Sequence, residues 1–115
     1  MSHIHKNLAD GRWFQFSLAE QMANIGTEID RAIQWKSKDM LLSQKAFERG
    51  IELLDLTIED KKNRSHLKEV CRLKEVLGDY FLGQNEYGST EQNLNSYFYF
   101  FNAIAMAKYT LEFTK

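Results

Sequence analysis

Four carboxylates at helical spacing are the first residues in the chain whose types and positions could do chemistry. They are Glu48, Glu52, Asp55 and Glu59. On a helix that turns 100° per residue they fall within about 60° of one another, and no basic residue lies inside this acidic stripe. Because neighbouring like charges repel, the stripe is a candidate ligand set for a divalent cation. The alternative is an ordinary solvated face, since Mg²⁺ prefers carboxylates that converge from more than one element.

The sequence offers few residues for other kinds of catalytic or metal site. The chain has three histidines and one cysteine, and no glutamate stands three residues before a histidine, so the Glu-x-x-His pairs of di-iron bundles are missing. Cys71 and His66 alone are too few for zinc. The six glycines are scattered and form no phosphate-binding loop. We therefore expect no catalytic residue and no cofactor.

A basic cluster follows the acidic stripe along the chain. Its members are Lys61, Lys62, Arg64, Lys68 and Arg72. These side chains could contact the phosphates of a nucleic acid. However, Lys68 and Arg72 share one helical face with Glu75 and Asp79, which is typical of a salt-bridged solvent face, and no aromatic residues are interleaved to stack bases.

The last helical segment is apolar on two opposite sides. One side carries Leu94, Tyr97, Phe98, Phe101, Ile104 and Ala105, and the other carries Tyr99, Met106 and Phe113, with Phe100, Ala103 and Ala107 beside them. A single four-helix core covers only one face of a helix. We therefore expect the second face to pack on another protein chain. The candidate interface residues are Tyr99, Phe100, Met106, Phe113 and Trp35, the last of which either extends this patch or caps the first helical hairpin.

The elements that position these residues are helices. The chain has no proline, the residue that helix interiors exclude most strongly. Apolar periodicity predicts helices over Ser17–Lys36, Asp39–Ile58, Ser65–Leu82 and from Ser89 to about Phe113. Ser17 with Glu20 and Ser89 with Gln92 form capping boxes, and Gly83 is expected to end the third helix in a left-handed conformation. Small residues at 23, 26, 46 and 50 predict close helix approach.

These elements predict one all-α domain over residues 1–115, an antiparallel four-helix bundle with short loops, in which residues 1–12 form a mobile tail. The formal net charge is −1, and neither a secretory signal nor an apolar run long enough to cross a membrane is present. We therefore expect a cytoplasmic protein with no membrane partner.

Two family resemblances bear on function. The segment Glu52-Leu53-Leu54-Asp55 is similar to the acidic clusters of MazG-type nucleotide pyrophosphatases, although Glu28-Ile29-Asp30 departs from the spacing of their second acidic pair. In its architecture the chain resembles the small HEPN and nucleotidyltransferase-partner bundles of prokaryotes. Active HEPN ribonucleases carry an arginine followed after four to six residues by a histidine. Here the last arginine is Arg72 and the last histidine is His66, so this resemblance implies a catalytically silent member.

The sequence thus predicts a non-catalytic accessory subunit that self-associates or binds a protein partner through its aromatic last helix. The alternative is a module associated with nucleic acids or nucleotides, either HEPN-like or MazG-like.

Overall fold

The computed structural model describes residues 11–114, with side chains to residue 107. Four α-helices form an antiparallel bundle, and no strand occurs among the described residues. The helices are α1 (Leu18–Trp35), α2 (Met40–Glu59), α3 (Leu67–Leu82) and α4 (Glu91–Thr114), with short 3-10 segments at Trp13–Gln15 and Lys61–His66. The predicted fold class is therefore confirmed. Most of the tail predicted for residues 1–12 lies outside the described residues.

The first two helices begin at side-chain caps. The Ser17 hydroxyl accepts a hydrogen bond from the Glu20 amide at 3.1 Å, and the Glu20 carboxylate accepts one from the Ser17 amide at 3.0 Å. This is the predicted capping box. Asp39 caps α2 by accepting from the amides of Leu41 and Leu42. Because only four residues separate the two helices, α1 and α2 pack as an antiparallel hairpin.

The second capping box begins one residue later than predicted. The Thr90 hydroxyl accepts from the Asn93 amide at 3.1 Å, and the Asn93 side chain accepts from the Thr90 amide at 2.9 Å. These two residues start α4 in place of Ser89 and Gln92.

The ends of α3 also differ from the prediction. Lys61–His66 form a 3-10 turn, and the α-helix begins at Leu67 instead of Ser65. Gly83 has a φ of −100° and is not left-handed. The left-handed residues of the following loop are Asn85, with φ 56°, and Gly88, with φ 65°.

Close helix contacts at two glycines hold the bundle together. A Cβ atom at Gly26 of α1 would lie 2.7 Å from Cβ of Phe98 on α4, and one at Gly50 of α2 would lie 2.9 Å from Cδ1 of Ile29 on α1. The predicted close approach is therefore present, and α1 packs against both α2 and α4, while α3 packs on α2. The buried core that results is contributed by the N-terminal segment and all four helices: Trp13, Met22, Ile25, Ile29, Ala32, Ile33, Ala46, Phe47, Leu53, Leu54, Leu56, Val70, Leu73, Leu77, Leu94 and Phe98.

Candidate functional site

The outer face of α4 presents large apolar side chains to solvent. Tyr99 is 70% exposed, Phe100 62%, Met106 57% and Ile104 44%. The exposure of the first three follows from their helical spacing, whereas Ile104 was expected to face the core and does not. The side chain of Phe113, the remaining candidate on this helix, lies outside the described residues. We refer below to the surface formed by Tyr99, Phe100 and Met106, with the smaller side chains between them, as the outer face; Ile104 is on the side of Tyr97 in helical spacing and is not part of it.

The opposite face of α4 joins the core. Leu94 and Phe98 are buried, and Tyr97 and Phe101 are half-buried. The Tyr97 ring packs edge-on against the rings of Phe98 and Phe101, with centroids 5.4 and 5.3 Å apart. The inner aromatic residues are thus satisfied by the bundle and by one another, and the exposed aromatic residues are a second, separate set.

The outer face is also uncharged. From Gln92 to Ala107 the sequence contains no Asp, Glu, Lys or Arg, although 27% of the whole chain is charged. Solvated faces of bundle helices normally carry charged residues. The surface of α4 therefore lacks the composition expected of a helix face that meets only water. In the described part of the chain, no helix combines the length and apolar character needed to cross a bilayer.

The structure places Trp35 away from the outer face. It is the last residue of α1, is 41% exposed, and lies beside the exposed Met40 and Leu41 at the α1–α2 turn. Phe98 packs on Gly26, and because α4 runs antiparallel to α1, its residues after Phe98 lead away from Trp35. Trp35 is nine residues beyond Gly26 in the other direction, or about 13 Å at 1.5 Å per residue. Trp35 was expected either to extend the patch on α4 or to cap the first helical hairpin, and its position corresponds to the end of the hairpin.

A shallow groove lies between α3 and α4, on the inner side of Tyr97. It has a volume of about 320 Å³ and an apolar floor formed by Leu73, Val76 and Leu94. The Tyr97 hydroxyl donates to the Glu69 carboxylate at 3.1 Å. Burial and the negative charge of Glu69 raise the pKa of Tyr97, so its hydroxyl stays protonated at neutral pH. This hydrogen bond ties α4 to α3.

The acidic stripe of α2 is not assembled into a metal site. Asp55 forms an ion pair with Lys74 of α3 at 2.6 Å, and Glu48 and Glu59 are exposed. Glu52, the fourth member, is only partly exposed. Among the described side chains, no group of three or more Asp, Glu, His or Cys residues is close enough to share a metal ion.

All five side chains of the basic cluster are exposed, but two of them, Lys62 and Arg72, have partners within the protein. Lys62 is exposed, and its ammonium donates to the carboxylate of Asp60 and to the backbone carbonyl of Phe14 at 3.0 Å. Lys61, Arg64 and Lys68 are exposed on the 3-10 turn and the first turn of α3. Lys62 is thus occupied within the protein.

The prediction of a salt-bridged face on α3 is wrong. Arg72 lies over the ring of Tyr87, 5.9 Å from its centroid. Asp79 accepts hydrogen bonds from the amides of Glu86 and Tyr87 at 2.8 and 3.0 Å, and Glu75 accepts one from the Tyr87 hydroxyl at 3.3 Å. Glu75 and Asp79 therefore bind the α3–α4 loop and do not form ion pairs with Lys68 and Arg72.

A buried polar network beneath the N-terminal segment was missed by the sequence interpretation. The Gln21 carboxamide donates to the Trp13 carbonyl at 3.1 Å and to Asp60 at 2.9 Å, and accepts from Asn63 at 2.8 Å. The Trp13 indole donates to the Thr57 hydroxyl at 3.1 Å. The signal that could have revealed it is Gln21, a polar residue next to Met22 on the apolar side of α1.

Electrostatics within this network explain the pairing of Lys62 with Asp60. Burial by itself would raise the pKa of Asp60, but hydrogen bonds from the side chains of Lys62 and Gln21 and from the Lys62 amide outweigh it and lower that pKa. Asp60 is therefore a carboxylate at neutral pH, held by three donors. The network is structural, because it links the N-terminal segment, α1 and the end of α2 around a filled core.

Comparison with known proteins adds no family to this description: no protein-family model, no curated protein and no solved structure matches the chain.

Proposed function

We propose that this chain is a non-catalytic association module, a small helical subunit that self-associates through the outer face of α4. The observation that carries the proposal is the exposure of Tyr99 and Phe100, at 70% and 62%, within a helical stretch that has no charged residue from 92 to 107.

The physical support comes from the cost of leaving such a surface in water. Each exposed aromatic ring keeps on the order of 100 Å² of apolar area hydrated, and burial of apolar area is favourable by about 25 cal/mol per Å². Protein interfaces are enriched in Tyr, Phe and Met and depleted of charge at their centres. The outer face has this composition, whereas the surface of α3 carries several charged residues such as Lys68 and Glu75.

A nucleic-acid or nucleotide function has less support from the contacts. The ammonium of Lys62 is held by Asp60 and the Phe14 carbonyl, and Arg72 lies over the Tyr87 ring. Asp55 of the acidic stripe is neutralised by Lys74. The segment from Lys61 to Arg72, which carries the basic cluster, contains no Phe, Tyr or Trp that could stack on a base.

The proposal is tested by two matched double substitutions. Tyr99→Gln with Phe100→Gln removes the aromatic residues of the outer face. Met40→Gln with Leu41→Gln is the control, because these adjacent residues are also on a helix and have similar exposures of 65% and 60%. Molecular mass is measured by multi-angle light scattering, and helix content by circular dichroism.

We expect the unmodified chain and the control to have the same mass, greater than that of one chain, and the Tyr99/Phe100 variant to be a monomer with unchanged helix content. Equal masses for all three proteins would show that the outer face does not mediate association. Dissociation of the Met40/Leu41 variant alone would place the association surface at the α1–α2 turn and would also refute the proposal.

A further inference from the structure

The exposed residues of α4 follow a spacing of four and three residues. Gln92, Ser96, Tyr99, Ala103 and Met106 occur at these intervals and are all exposed. A 4-3 spacing produces the narrow seam along which two helices pack. The sequence continues the spacing with Thr110 and Phe113, whose side chains lie outside the described residues. We call the five described residues the seam.

The seam alternates large and small side chains. Gln92, Tyr99 and Met106 are large, and Ser96 and Ala103 are small. If two copies packed in parallel about a two-fold axis, each residue would meet its own copy, so that Tyr99 would face Tyr99 and Ala103 would face Ala103. The aromatic layer would then hold the helices apart and leave a gap at the alanine layer, which forfeits packing energy. An antiparallel pair can place each large side chain over a small one.

The register that best fills the seam places the two-fold axis at the level of residue 101. Tyr99 then packs over Ala103 of the partner subunit, and Met106 packs over Ser96 of the partner subunit, so that symmetry gives four large-on-small contacts. If one helix is shifted by seven residues relative to the other, in either direction, then either Tyr99 or Met106 no longer has a small residue of the described seam opposite it. Antiparallel packing also sets the helix dipoles in opposite directions, which is favourable.

The absence of charge supports a second copy as the occupant of this face. In a two-fold interface the same patch contributes both sides, so a charged seam would bring like charges together. No charged residue occurs from Gln92 to Ala107. A partner selected by charge would have no residue to recognise on the seam, whereas a second copy is complementary to it in size and polarity.

The area of the outer face indicates the strength of the pair. Tyr99, Phe100 and Met106 have exposures of 70%, 62% and 57%; at about 200 Å² per large side chain they offer roughly 380 Å² on each chain. With the small residues and backbone of the seam, the total buried by two chains reaches about 1,200 Å², the lower limit of stable specific interfaces. The area therefore fits a reversible dimer.

From these observations, and on the basis of the proposed function, we propose that two copies of the chain pair through antiparallel α4 helices, with Tyr99 seated over Ala103 and Met106 over Ser96 of the partner subunit.

Disulfide cross-linking tests this register. All variants carry Cys71→Ser, because Cys71 is the one native cysteine. Two single variants introduce Ser96→Cys or Met106→Cys, and a third carries both. In the proposed register residues 96 and 106 of opposite chains are adjacent, whereas the two copies of residue 96 are separated along the axis by ten residues, or about 15 Å, beyond the reach of a disulfide.

We expect mild oxidation to link the double variant into a covalent dimer and to leave both single variants unlinked. Efficient linkage of a single variant would show a parallel pair, and it would overturn this inference while leaving the proposed function standing. A dimer by light scattering with no linkage in any variant would also overturn the register; the Tyr99/Phe100 variant then shows whether the dimer still forms through α4, as the proposed function requires, or through another surface, which would refute it. A monomer by light scattering would refute the proposed function itself.

Discussion

The packing of α4 on α1 gives the sharpest prediction about stability, through the substitution Gly26→Ala. A Cβ atom at Gly26 would lie 2.7, 2.9 and 3.0 Å from Cβ, Cγ and Cδ1 of Phe98. Because the nearest of these atoms is attached directly to the α4 backbone, rotation of the Phe98 ring cannot relieve the contact. The two helices must separate or tilt.

Gly78→Ala provides the matched control. Gly78 is also inside a helix, and a Cβ atom there would have no neighbour within 4 Å. Replacement of glycine by alanine in a helix interior contributes about 1 kcal/mol of stability at either position. Overpacking at Gly26 costs about 1–3 kcal/mol. The helix-propensity contribution cancels when the two variants are compared, so Gly26→Ala should be less stable than Gly78→Ala by about 2 kcal/mol.

Urea denaturation followed by circular dichroism measures this difference. Both substitutions are made in the Tyr99→Gln, Phe100→Gln background, so that the proposed self-association does not contribute. For a domain of this size the expected difference corresponds to about 8 °C in melting temperature. If Gly26→Ala were as stabilising as Gly78→Ala, α4 would not pack on α1 at this point, and the assignment of an inner and an outer face to α4 would be wrong.

Two further predictions concern the buried polar network. Gln21→Ala should lower the free energy of unfolding by about 3 kcal/mol, because it removes three buried hydrogen bonds at about 1 kcal/mol each. Gln34→Ala, which removes an exposed bond to Asp30, should change it by less than about 0.5 kcal/mol, and equal effects in urea denaturation would contradict the network. Because the pKa of Asp60 is lowered below its ordinary 3.8 on folding, its contribution to stability is present above pH 3.8 and is lost as the pH falls through the folded-state pKa. Asp60→Asn should therefore make the stability less dependent on pH in acid, and an unchanged acid profile would show that the carboxylate is not stabilised by folding.

The helices could be predicted from the sequence because their signals are local. The Ser17–Glu20 capping box lies within four residues, and the apolar periodicity of each helix lies within its own length. The start of α4 shows the limit of such signals. Ser89 and Thr90 are both suitable caps, and the choice of Thr90 follows from Asn85, whose side chain binds the amide and the carbonyl of Ser89. That contact depends on the left-handed conformation of Asn85 in the loop.

The two apolar faces of α4 could also be predicted from the sequence, because helical spacing alone separates Phe98 from Tyr99. The partners of the charged residues could not be predicted, because they depend on contacts between distant segments. Gln21 and Asp60 are 39 residues apart, and Lys62 reaches the Phe14 carbonyl across 48 residues. No spacing rule links such residues, so neither the Gln21–Asp60 hydrogen bond nor the contact of Lys62 with the Phe14 carbonyl could be predicted.

The mass of the unmodified chain as a function of concentration tests the central claim most directly. Sedimentation equilibrium of the 115-residue chain needs no substitution and no knowledge of a partner. Self-association through α4 predicts a reversible transition from 13.5 kDa at low concentration to twice that mass at high concentration. A mass that stays at 13.5 kDa at all concentrations would contradict the claim that the outer face of α4 is an association surface between copies of this chain.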